Sequence, residues 1–152
     1  MGNTLQHGRW IVAVGAVMLV VASFMQWWLL GGGPGELPAN SGIGIYGLTG
    51  LEPAGLLLFL AALATLLLIS LPYAAEGPVA IDQPLSYVIL CATAFFAYCL
   101  RTFTMYQGGL LFYNGQTPPV QPLRGPGYWL AAVALVIFAR GVFEMWEARK
   151  RF

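Results

Sequence analysis

Charge is what this chain lacks. Of its 152 residues, 7 are Lys or Arg and 6 are Asp or Glu, so 9% are charged, against roughly 25% in an average soluble domain. So few ionic side chains do not cover the surface of a water-soluble domain of this length. The net charge of +1 supplies no electrostatic footprint for nucleic acid. The acidic residues are scattered, which excludes an acidic tail. Potential ligands are equally sparse, with His7 the single histidine and Cys91 and Cys99 the two cysteines. Metal sites need such groups in clusters, and acid–base chemistry needs a positioned titratable pair. Neither constellation is present, so no catalytic residue, metal site or cofactor is predicted. On a helix, Cys91 and Cys99 are separated by a rise of about 12 Å, beyond the roughly 7 Å that a disulfide tolerates. The glycine-rich segments lack the Lys-Ser/Thr of a phosphate-binding loop. Met1-Gly2 is followed by Gln6 rather than Ser or Thr, so the myristoylation pattern fails.

What is present is apolar sequence in long runs, with 59% hydrophobic residues. A hydrocarbon core of about 30 Å is crossed by roughly 20 apolar residues in a helix. The first run begins at Trp10 and continues to Leu30, interrupted only by Ser23 and Gln26. Its length exceeds the 7–15 residues of a signal-peptide core, so it is read as a retained span. Gly31-Gly32-Gly33-Pro34-Gly35 then begins a loop too glycine-rich for a helix. The second run starts at Pro53, a residue suited to the first helical turn, and Pro72 is expected to end it. The third covers Leu85 to Phe103, with Arg101 near its end. A second long loop, Thr104 to Gly127, carries Asn114-Gly115, a strong hairpin-turn signal. Pro118, Pro119, Pro122 and Pro126 are expected to keep that loop extended.

The expected fold class is therefore all-α, an integral membrane four-helix bundle forming one transmembrane domain over residues 1–152. Helices are expected at about 10–30, 53–71, 85–103 and 128–146, joined by two long extracytoplasmic loops, the second containing a short β-hairpin. Placing both termini in the cytoplasm puts Arg9, Arg140, Arg149, Lys150 and Arg151 inside, and only Arg101 and Arg124 outside. That orientation satisfies the positive-inside rule. Trp27, Trp28, Tyr106, Tyr128 and Trp129 would mark the outer interface, and Trp10, Tyr73, Tyr87 and Trp146 the inner one.

Small residues recur on three spans: Ala13, Gly15, Ala16 and Ala22; Ala54, Gly55, Ala61, Ala62 and Ala64; and Ala131, Ala132, Ala134 and Ala139. Such residues let helices approach closely in lipid. Phe59, Phe95, Phe96 and Phe138 are expected to face lipid, where they would also suit quinone or pigment tails.

Polar residues within spans are costly and mark contacts. Arg140, Glu144 and Glu147 share one helical face, and Arg140 is expected to pair with Glu144 while reaching for the interface. Arg101 is expected at the end of its helix, within reach of headgroups. Tyr46, Phe112 and Tyr113, in the uncharged aromatic loops, complete the candidate contacts for lipid or partners.

Function follows from these absences and surfaces. The expected role is a non-catalytic accessory or assembly subunit of a multi-subunit membrane complex, respiratory or photosynthetic complexes being candidate hosts. Its partners would be other integral membrane subunits and lipids in the cytoplasmic membrane. The alternative is a small oligomeric transporter or channel, and a lipid- or quinone-modifying enzyme ranks behind both.

Overall fold

The computed structural model describes residues 2–29, 44–46, 53–74, 83–112 and 123–150. Four helices dominate it: α1 (Gly2–Phe24), α2 (Pro53–Ala74), α3 (Pro84–Phe112) and α4 (Pro126–Lys150). Each contains a stretch long and apolar enough to cross a membrane, of 19, 19, 21 and 24 residues respectively. The chain thus has the architecture of a multi-pass helical membrane protein. Three of the helices begin at a proline, whose missing N–H is harmless in the first turn and whose fixed φ suits a helix start. Pro126 therefore opens α4 rather than extending the loop before it.

The helix ends depart from the expected boundaries. The first helix begins eight residues before Trp10, at Gly2, because its polar first turns pack against α4. A Cβ on Gly8 would lie 2.7 Å from Cγ of Met145. It stops at Phe24 rather than Leu30, because residues 26–29 form a strand. Helix α2 runs through Pro72 to Ala74, since a proline so near the last turn leaves only the carbonyl of Leu68 without its helical donor. Helix α3 continues nine residues beyond Phe103, to Phe112. The expected turn at Asn114-Gly115 lies outside the described residues.

Burial follows the same rule on all four helices. On α1 the buried positions include Gly8, Val12, Gly15, Leu19 and Ala22. On α2 they include Ala54, Leu58, Ala61, Thr65 and Leu68, and on α3 Tyr87, Ala94, Ala97 and Arg101. On α4 they include Ala131, Ala134, Phe138, Gly141, Met145 and Ala148. Steps of three and four alternate, or add to seven, so the repeat averages 3.5 residues. That is the period of helices that wrap left-handedly around one another.

The tightest contact joins α1 and α4. A Cβ on Gly15 would lie 2.8 Å from the backbone nitrogen of Phe138. One on Gly141 would lie 2.8 Å from the nitrogen of Val12. Going back along α1 from Gly15 to Val12 to Gly8 matches going forward along α4 from Phe138 to Gly141 to Met145. The pair is antiparallel and in constant register. Phe138 is fully buried here and does not face lipid as expected, because its backbone sits where Gly15 removes a side chain.

A three-stranded sheet, absent from the expected fold, closes one end of the bundle. Strand β1 (Gln26–Leu29) lies between β2 (Gly44–Tyr46) and β3 (Leu123–Arg124), antiparallel to both. It draws one strand from each expected loop onto the end of α1. Gly125 makes the join to α4 possible: its N–H donates to the carbonyl of Trp27 at 2.6 Å. A Cβ on it would lie 2.5 Å from the carbonyl oxygen of Gln26.

Candidate functional site

The sheet end carries an aromatic cluster that ties β1, α3 and α4 together. Trp27 is fully buried, and its indole N–H donates to the carbonyl of Ala22 at 2.8 Å. That bond satisfies the donor of a buried indole. Its ring lies 5.5 Å from Tyr98 and 6.1 Å from Tyr128, the latter edge to face. Tyr98 and Tyr128 are themselves 5.2 Å apart. Tyr128 meets Trp129 edge to face at 5.5 Å. Read one at a time in the sequence, Trp27 and Tyr128 look like interfacial anchors. Both are instead buried in one cluster, whereas the neighbouring Trp129 is 55% exposed.

Arg124, at the end of β3, sits on this cluster. Its guanidinium carbon is 5.3 Å from the Tyr128 ring centre and 5.9 Å from that of Trp129, within cation–π range. The side chain is exposed. Sequence reasoning placed Arg124 on the outer side but gave it no role. The signal was available in Arg124-Gly125-Pro126-Gly127-Tyr128-Trp129, where a tight turn brings the cation back over the first helical turn.

Arg101 occupies a different position from the one expected. It lies eleven residues before the end of α3, and its side chain is fully buried. It stands one turn beyond Tyr98 along the helix and does not extend to headgroups from a helix terminus. The helix continues past Arg101 to Phe112, while its apolar spanning stretch ends at Thr104; what differs from the expectation is the burial of the side chain.

The Arg140–Glu144 pair is present, with Nε of Arg140 donating to Oε1 of Glu144 at 3.0 Å. Arg140 is 66% exposed on the outer surface of α4. It lies fourteen residues into α4, a rise of about 21 Å from the helix start beside Arg124, so the two cations do not form one site. Glu147 and Arg149 are also exposed. Tyr46 ends β2 and pairs with Gln26 through the backbone; Phe112 ends α3. The side chains of Tyr46 and Phe112, and Tyr113 entirely, lie outside the described residues.

Along the interior, Ser23 donates to the carbonyl of Leu19 at 2.9 Å and Thr65 to that of Ala61 at 2.8 Å. Both hydroxyls are consumed by their own helices. Cys91 and Cys99 are free thiols. Among the described residues no three His, Cys, Asp or Glu side chains gather as metal ligands would.

Comparison with protein families, with curated proteins and with solved structures gives no match to this chain.

Proposed function

We propose that this protein is a non-catalytic accessory or assembly subunit of a larger membrane complex, energy-transducing assemblies being candidate hosts. The observation that carries the reading is the unequal covering of the helices. Only 22% of the α3 spanning stretch is buried within the bundle, against 39% for each of the other three. Ile89, Phe95, Phe96 and Phe103, each more than half exposed, lie along α3. Large rigid apolar groups on one helix suit packing against helices of another subunit, where dispersion contacts exceed those with mobile lipid tails. Among the described residues, the interior hydroxyls of Ser23 and Thr65 bond backward along their own helices; a transport route, which uses intramembrane polar groups or interrupted helices, would have to run past the buried Arg101.

In this reading the chain sits in the cytoplasmic membrane with both termini in the cytoplasm and the sheet end outside. Arg140, Glu144 and the loop residues Tyr46, Phe112 and Tyr113 then contact lipid or neighbouring subunits.

The test is native extraction in a lipid-retaining polymer, followed by identification of what co-elutes with the 16.4 kDa chain. Stoichiometric membrane subunits, lost when Phe95 and Phe96 are both changed to Ala, are expected. A chain that elutes alone from native membranes overturns the proposal. Solute flux through proteoliposomes of the pure chain, abolished by Arg140→Ala, would favour a transporter instead.

A further inference from the structure

The Arg124 corner has the makings of a ligand site that the packing of the bundle does not use. The backbone of Arg124 is held on two sides. It pairs with Trp28 across the sheet, and the next residue, Gly125, is bonded to the carbonyl of Trp27. Among the described residues, its side chain is met by the rings of Tyr128 and Trp129. A guanidinium is planar, and its five N–H groups lie in that plane and point outward from its edges. The guanidinium carbon of Arg124 stands within cation–π range of both rings while the side chain is exposed. An exposed guanidinium so placed can offer N–H groups to its surroundings in the fork geometry that matches two oxygens of a phosphate.

The surroundings are defined by depth. Trp129 is 55% exposed at the point where α4 enters its apolar stretch, the level at which tryptophan marks the membrane–water boundary. Below it on the same face come Val133 and Val136, 52% and 70% exposed. They lie four and seven residues further along, a descent of about 6 and 10 Å. A cation at the boundary thus stands above a continuous apolar track that leads into the membrane. A soluble anion would use the first part only; a phospholipid uses both.

We propose that Arg124, backed by Tyr128 and Trp129, binds the phosphate of an anionic phospholipid headgroup, with an acyl chain along Val133 and Val136. The site is complete in a single chain and does not depend on the partner reading above.

The experiment is native mass spectrometry of the full chain in detergent, titrated separately with phosphatidylglycerol, phosphatidylcholine and soluble glycerol phosphate. Phosphatidylglycerol is expected to be retained about tenfold more strongly than phosphatidylcholine, the scale of one charge-assisted contact. Arg124→Gln is expected to abolish that preference, and Arg124→Lys to retain part of it, because charge survives while the fork does not. Both variants are compared at equal thermal stability; only backbone groups of residue 124 enter the sheet, so the fold should persist. Equal retention of the two lipids by the unaltered chain overturns the proposal, as does an unchanged preference in Arg124→Gln. A preference lost in Arg140→Gln but kept in Arg124→Gln assigns the lipid to Arg140 and also overturns it. Displacement of phosphatidylglycerol by equimolar glycerol phosphate shows that the chains contribute nothing, and the lipid assignment fails.

Discussion

Helices α1 and α4 meet through glycines, with hypothetical Cβ atoms at Gly15 and Gly141 falling 2.8 Å from the opposing backbone. The buried positions of α2 and α3 carry side chains of every size, from Ala54 and Ala94 to Leu58, Tyr87 and Arg101. In water the larger side chains would give the stronger pairing, because more apolar area leaves solvent. In lipid that advantage disappears, and close backbone approach governs. The α1–α4 seam is therefore the mechanical spine of the protein. Helix α3, the least covered of the four, is the part left over for other molecules.

The largest expected effect breaks that comparison if it fails to appear. Gly15→Leu places a branched side chain where even a methyl group lacks room, and is expected to remove at least about 3 kcal/mol of stability. Reversible unfolding in mixed micelles measures it, with Ala139→Leu on the exposed side of α4 as the matched control, expected within about 0.5 kcal/mol of the parent. Similar behaviour of the two variants would show that the seam is not special. Trp27→Phe should cost about 1–2 kcal/mol, because the indole bond to Ala22 and part of the ring packing are lost together. If the cluster at the sheet end is only decorative, that variant unfolds with the parent. Arg140→Ala comes next, at no more than about 0.5 kcal/mol, as for other exposed i,i+4 ion pairs. A loss of several kcal/mol there would mean that the pair is shielded by something that covers α4. The smallest effect sharpens the other half of the comparison. Phe95→Ala is expected to leave the isolated chain's unfolding curve unchanged within about 0.5 kcal/mol while weakening retention in the native assembly. A large intrinsic destabilisation would move α3 from the docking surface to the core.

The four spans were legible because one physical quantity, apolar length, decides them. The Arg140–Glu144 pair was legible for a similar reason: its partners are four residues apart, and helical geometry alone brings them together. The sheet was not. Its central strand, Gln26–Leu29, reads locally as a continuation of an apolar helix. What makes it a strand is pairing with Gly44–Tyr46 and with Leu123–Arg124, and no local pattern encodes a partner nearly a hundred residues away. The same non-locality hid Trp27 and Phe138, which by type look interfacial and lipid-facing respectively and are buried against Tyr98 in one case and opposite Gly15 in the other. The burial of Arg101 was hidden by a different rule. A cation after sixteen residues of apolar sequence resembles the end of a span, yet a helix already formed extends at little cost. The 3.5-residue burial repeat could have been found in advance. Gly8, Gly15 and Ala22 are seven apart, as are Ala131, Phe138 and Met145, but the polar setting of Gly8 kept it out of the first span as drawn.

The joining of β1 to β3 has a consequence for how the protein is made. Sheet and seam both connect the first helix to the last, while α2 and α3 are an internal hairpin between them. Translation delivers α1 to the membrane first and its principal partner last. At about 5–20 residues per second, the roughly 100 residues from Phe24 to Pro126 keep α1 waiting for about 5–20 s. For that interval its glycine face and the edge of β1 that pairs with β3 have no partner of their own, and any factor that escorts the nascent chain would find them there.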